Sequence, residues 1–150
     1  MSDQGNIEKL VAIGSNADLL VAAQHVAAKR LLDYDGEEYP HDGCAITLSV
    51  LLQDAGIKTA DVFTAIELTQ TLKDRGWTKI ELGQQAAGDV GTTCGKTPVH
   101  GQDHIYLVLK PVNSDEMVIA DNQEPKPHFR FASGLGGKTP TKYFLRASGK

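Results

Sequence analysis

The sequence predicts an α+β domain in which helices come first and an antiparallel sheet follows. The first half is rich in Ala and Leu at helical spacing, whereas the second half has short β-branched and aromatic runs separated by Gly and Pro. Helices and strands segregated along a chain in this way are typical of α+β architecture. The length of 150 residues suits one domain over residues 1–150. We expect residues 1–15, which begin with a polar stretch, to be flexible.

Three helices are predicted in the first half. Residues 17–33 place apolar side chains near helical spacing after a cap at Ser15 or Asn16. A second helix is expected to start at about Cys44, and Gly56 can close it in a left-handed conformation. A third helix is expected over residues 61–75.

The second half predicts five strands, at residues 77–81, 89–92, 104–110, 117–120 and 141–146. The sequence HIYLVLK at 104–110 is the clearest of them, because it joins β-branched and aromatic residues in one run. A turn at 113–115 follows, so this strand and the next should form an antiparallel hairpin. The Pro- and Gly-rich segment 124–140 is expected to be a loop.

Charge and hydropathy argue against two classes of function. The formal net charge is −4 and no basic cluster occurs, which argues against a nucleic-acid partner. No apolar run approaches the length of a membrane span, and the N-terminus lacks the features of a secretory signal. We therefore expect a protein with no membrane span, which is cytoplasmic or is exported by a route that reads no such signal.

Cys44 is the first residue whose position suggests chemistry. It lies at a predicted helix start, where partial positive charge favours the reactive thiolate, and Gly43 leaves room for a substrate. A buried structural cysteine is the common alternative. The second cysteine, Cys94, has no helix start after it, and a disulfide between the two stays open at this point.

His104 and Asp121 give Cys44 two candidate partners. His104 opens the clearest strand, where a rigid backbone can hold an imidazole at the mouth of a cleft. Asp121 ends the returning strand, so a hairpin brings it close to His104, where a carboxylate can orient the imidazole. Asn122 or Gln123 could orient the imidazole instead. The three residue types together predict a nucleophile, a base and an orienting group.

At these residues the chain resembles the papain-like cysteine peptidases. It is closest to the NlpC-type peptidoglycan peptidases, the CHAP amidases and the amidase effectors of type VI secretion. The resemblance lies in GCAITLSVLLQDAG (43–56), Gly88-Asp89, QDHIYLVL (102–109) and VIADNQ (118–123). It covers about residues 30–123. The chain departs from the NlpC pattern at Gly43-Cys44-Ala45, and Glu38-Tyr39 stand where papain-type enzymes have an oxyanion-binding Gln.

The resemblance implies a papain-like fold and a cysteine hydrolase that needs no cofactor or metal. Cys44 would be the nucleophile, His104 the general base and acid, and Asp121 the orienting residue. The oxyanion would be bound by the Cys44 N–H together with a donor such as Tyr39 or Tyr34. The substrate would be a peptide amide of bacterial peptidoglycan, reached in the periplasm or cell wall. A toxin of this kind would have an inhibitor protein as a partner in the producing cell.

Two other readings remain from the sequence. Cys94, His100 and His104, with Cys44 or Asp103, could supply four zinc ligands, although their spacing lacks a paired-Cys pattern. A papain-like module that binds without catalysis is the second alternative, since a fold alone does not fix a function.

Overall fold

The computed structural model describes residues 2–99 and 102–149 of the chain. A short 3-10 helix at Gln4–Asn6 precedes four α-helices. The α-helices are α1 (Ile7–Ser15), α2 (Ala17–Asp35), α3 (Cys44–Asp54) and α4 (Ala65–Asp74). The strands are β1 (Thr78–Ile80), β2 (Val90–Thr92), β3 (Ile105–Pro111), β4 (Glu116–Ala120), β5 (His128–Phe131) and β6 (Tyr143–Arg146). The molecule is therefore α+β, as the sequence predicts.

The helix boundaries follow from capping chemistry. The Asn16 side chain accepts a hydrogen bond from the Leu19 N–H and begins α2, and Thr64 does the same for Glu67 at the start of α4. Gly56 adopts a left-handed conformation just after α3, as expected, with φ of 91°. The third predicted helix begins later than expected, because its cap is Thr64.

Helix α3 is the central element of the fold. Every residue from Cys44 to Leu52 is buried, so the helix is covered on all sides, whereas α4 buries one stripe. Helices α1 and α3 pack on β3, and α2 packs on α3. The N-terminal end of α3, which begins at Cys44, is consequently held by the main core.

All six strands belong to one open antiparallel sheet in the order β1-β6-β2-β3-β4-β5. Alternation along β3 sends Ile105, Leu107 and Leu109 into the main core under the helices. Tyr106 and Val108 join a smaller apolar cluster on the opposite face. Gly91 is required beside this cluster, because a Cβ there would lie 2.2 Å from the Tyr106 ring.

The structure corrects two expectations about the chain. The segment 124–140 is not all loop, since His128–Phe131 forms β5 at the edge of the sheet. Residues 7–15 form α1, whose Leu10 and Ile13 are buried, although we expected residues 1–15 to be flexible. The other predicted strands and the β3–β4 hairpin are confirmed, each within two residues at its ends.

Within the described ranges, no single helix combines the length and the apolar content that a membrane crossing needs. Only the two N-terminal helical segments taken together, Gln4–Ser15 and Ala17–Asp35, pass that test, and they are bent by 94°.

Candidate active site

Cys44 is the first residue of α3, and its side chain faces a cleft. The loop before it contains a cis peptide bond between Tyr39 and Pro40, and the Gly43 N–H donates to the Pro40 carbonyl at 3.0 Å. A Cβ on Gly43 would lie 2.9 Å from the Tyr39 ring, so glycine lets this loop pack tightly. The helix N-terminus carries partial positive charge, which favours an anionic sulfur.

His104 directly precedes β3, and its backbone is fixed on both sides. Its N–H donates to the Thr93 hydroxyl at 2.8 Å, and its carbonyl accepts from the Thr93 N–H at 3.0 Å. The imidazole stacks on Tyr106, with 5.9 Å between ring centroids. The His104 imidazole is therefore carried by a hydrogen-bonded backbone directly before β3.

Asp121 follows the last residue of β4 and contacts His104 directly. Its Oδ2 lies 2.8 Å from His104 Nε2, and its carboxylate is fully buried. Nε2 of His104 thus faces Asp121, and Cys44 is the second side chain that interacts with the imidazole. The structure brings the three sequence-predicted residues together in the order Cys44, His104, Asp121.

The charges of the three groups follow from this arrangement. Burial alone raises the pKa of Asp121, but hydrogen bonds from His104 and His128 hold it well below its usual range. Burial alone lowers the pKa of His104, but Asp121 and Cys44 outweigh that effect and raise it to about 9. At neutral pH the site therefore favours an ionised carboxylate on Asp121 beside a protonated imidazole on His104. The other neighbour of that imidazole is Cys44.

We expect the free energy of unfolding to depend on pH because His104 interacts with Asp121 in the folded protein. Because the pKa of folded His104 is raised from 6.5 to about 9, its contribution to the free energy of unfolding is full below pH 6.5 and disappears as pH rises through 9. The contribution is at most about 3 kcal/mol. Thermal unfolding between about pH 5 and about pH 10 should show the native protein losing this advantage over His104→Asn. If the difference in stability between the native protein and His104→Asn stays constant with pH, the raised pKa of folded His104 is contradicted.

The other candidates for the orienting role contact different groups. The Asn122 amide donates to the Pro40 carbonyl at 2.7 Å, so it ties β4 to the loop before Cys44. Gln123 contributes its backbone N–H, which donates to Asp121 Oδ1 at 2.9 Å. Of the three residues that the sequence left open, Asp121 is the one whose side chain contacts His104.

The tyrosines proposed as oxyanion donors are already in contact with other groups. The Tyr39 hydroxyl lies 2.8 Å from Thr47 Oγ1 on α3, and burial raises its pKa far above the usual range. Tyr34 stacks on Phe63 with 3.9 Å between ring centroids, and the pair forms one wall of the cleft. The first-turn N–H groups of α3, including that of Cys44, have no carbonyl partner within the helix. These N–H groups lie at the same end of α3 as the Cys44 side chain.

Two contacts of Asp121 were not anticipated from the sequence. His128, which lies in the segment 124–140 that was expected to be a loop, donates a hydrogen bond to Asp121 Oδ1 over 2.8 Å. The Gln24 amide donates to the Asp121 carbonyl at 2.8 Å across a sequence separation of 97 residues. The alternating segment HFRF (128–131) could have indicated a strand, whereas nothing local to Gln24 indicates its contact.

The cleft beside Cys44 and His104 has a volume of about 750 Å³. It lies between the α2–α3 loop, the start of α4 and the segment before His104. Its described lining contains no Lys or Arg but five carboxylate side chains, those of Asp35, Glu37, Asp42, Glu67 and Asp103. The reactive pair thus opens onto an acidic, partly aromatic groove.

The proposed zinc ligands do not converge in the part of the chain that is described. Cys44 and Cys94 are both free and buried, and burial raises the pKa of Cys94. His100 lies outside the described residues. The described side chains that meet at metal-ligand distances are instead Glu37, His41 and Asp42, which are largely exposed.

No family model, curated protein or solved structure matches this chain.

Proposed function

We propose that the protein is a papain-like cysteine peptidase or amidase that hydrolyses amide bonds through an acyl-enzyme. The observation that carries the proposal is the buried chain from Cys44 through His104 to Asp121, opening onto a cleft at the start of a helix. A structural cysteine needs no imidazole beside it, and a structural histidine needs no thiol. Their convergence supports a nucleophile and a base.

In the first half of the reaction the Cys44 sulfur attacks the carbonyl carbon of a bound amide. The thiol proton has passed to His104, whose positive charge Asp121 stabilises. The new oxyanion accepts hydrogen bonds from first-turn N–H groups of α3. The C–N bond then breaks, His104 gives its proton to the leaving amine, and a thioester remains on Cys44.

In the second half a water molecule replaces the amine. His104 takes a proton from the water as it attacks the thioester carbonyl. The C–S bond breaks, the carboxylic acid product leaves, and the sulfur of Cys44 is restored. One amide and one water thus give one amine and one acid.

The resemblance of the chain to NlpC, CHAP and effector amidases favours a peptide amide of peptidoglycan as the substrate. On this proposal the enzyme acts in the periplasm or cell wall of a target cell, and an inhibitor protein protects the producer. The cleft adds a charge preference, because its described lining contributes five carboxylates and no Lys or Arg, which favours an ammonium group.

We expect acetylation of the free amino groups of purified sacculi to slow hydrolysis by about tenfold, the equivalent of about 1.4 kcal/mol. The ammonium groups that the acidic cleft attracts would then be neutral. The rate of peptide release from acetylated and untreated sacculi measures the effect. Glu67→Gln removes one carboxylate of the lining. This variant should therefore show a smaller difference between the rates of peptide release from untreated and acetylated sacculi. Equal rates on both substrates would refute the charge preference.

Mass analysis of the digested fragments tests the reaction itself. Amide hydrolysis adds one water to each cleaved bond and creates a new amine and a new carboxyl group, which also identifies the bond. Sacculi treated with Cys44→Ala should give the fragments of an untreated sample. If the native protein binds sacculi and releases nothing, the proposal fails in favour of a binding module.

A further inference from the structure

Asp121 is held by two imidazoles, one on each carboxylate oxygen. Oδ2 lies 2.8 Å from His104 Nε2, and Oδ1 lies 2.8 Å from His128 Nε2. The Gln123 N–H also donates to Oδ1. A carboxylate that receives three donors while fully buried has both oxygens fixed.

The sheet explains how the second imidazole reaches the same carboxylate. Strand β4 lies between β3 and β5, and His128 on β5 is the register partner of Ile119 on β4. Asp121 lies two residues beyond Ile119, so its side chain is on the same face and diagonally adjacent to His128. His104 approaches from the β3 side. The two neighbouring strands therefore contribute one histidine each.

We propose that His128 is a positioning residue, which fixes the second oxygen of Asp121 so that the first stays aimed at His104. The inference rests on the proposed Cys44–His104 chemistry and deepens it. The His128 side chain is 19% exposed, and it is not among the described residues that line the cleft. It acts on the reaction through Asp121 and not through the substrate.

The physical reason is the cost of a free carboxylate oxygen in a buried site. Without His128, Oδ1 would keep only the Gln123 N–H, and the carboxylate could turn away from His104. The imidazolium would lose part of its stabilisation, which lowers the pKa of His104 and weakens its activation of the Cys44 sulfur. The other titratable groups that face Asp121 are Tyr39 and Tyr106, whose pKa values burial raises, that of Tyr106 to about 12. Both tyrosines stay neutral over the range used below.

The test measures alkylation of Cys44 by iodoacetamide as a function of pH, with the labelled residue identified by mass spectrometry. The native protein is compared with His128→Phe, which removes the donor, and with His128→Gln, which retains one. We expect His128→Phe to move the acid limb of the profile to higher pH and to slow labelling near pH 6 by about tenfold. His128→Gln should stay within about threefold of the native rate.

Three outcomes would overturn one proposal or the other. If both variants keep the native profile, His128 does not position Asp121. If both lose the same amount of reactivity together with thermal stability, the role of His128 is structural. If native Cys44 is labelled no faster than in a His104→Ala variant, the thiol is not activated and the proposed function itself fails. If native Cys44 reacts rapidly and the His128 variants keep the native pH profile, only the positioning role is refuted and the proposed function stands.

Discussion

Replacing Cys44 with Ala should abolish hydrolysis of purified sacculi, with a loss of at least about 10³-fold in kcat/KM. No other described side chain lies at the start of α3 with an imidazole beside it, so the acyl-enzyme cannot form. The substitution removes one sulfur from a site at the edge of the core, where Cys44 is 8% exposed. Circular dichroism and the thermal midpoint should therefore stay close to native values.

Cys94→Ser is the matched control for this experiment. Cys94 is the second buried thiol, and burial raises its pKa, which disfavours a thiolate. We expect the Cys94 variant to keep most of the activity and the Cys44 variant to lose it. Full activity in Cys44→Ala would remove the proposed mechanism. An equal loss of activity in both variants would indicate that each cysteine is needed for folding, and that Cys44 has no special role as a nucleophile.

Replacing Asp121 with Asn should lower kcat by about 100-fold and leave KM little changed. An amide oxygen can accept from one histidine, but its NH₂ group then faces the ring nitrogen of the other. Two imidazoles on one side chain require both oxygens of a carboxylate. This requirement explains why an aspartate, and not an asparagine, suits this position.

The pH profile of Asp121→Asn should change in a defined direction. The pKa of His104 is raised to about 9 with Asp121 and Cys44 as partners, so loss of the negative charge lowers it. The alkaline limb of the rate profile should move to lower pH, because the imidazolium is lost earlier. Asn122→Ala is the matched control, since Asn122 contacts Pro40 and not His104. A larger loss of kcat in the Asn122 variant would assign the orienting role to Asn122.

Much of the site could be predicted from the sequence because it depends on local signals. A glycine before Cys44 and apolar residues at helical spacing after it indicate a helix start, and the strand 104–110 is marked by its composition. A short turn between β3 and β4 then brings His104 and Asp121 together without further information. For these reasons Cys44, His104 and Asp121 could be predicted from the sequence as candidate site residues.

The remaining features depend on contacts that no short segment encodes. Pro125 and Pro127 directly precede β5, and prolines are typical of a loop, so the strand was not predicted. For this reason His128 was not included in the predicted site. The bond from Gln24 to Asp121 crosses 97 residues and requires α2 to be docked. Tyr39 was one of two candidate oxyanion donors, and its hydroxyl contacts Thr47 because the loop packs on α3.

On the proposed mechanism the nucleophile and its base lie on separate elements, Cys44 at the start of α3 and His104 directly before β3. A nascent or partly folded chain therefore carries an ordinary thiol, and on the proposed mechanism it gains hydrolytic power only when α3 docks against β3. A factor that delays this docking would keep the protein inert without covering its cleft.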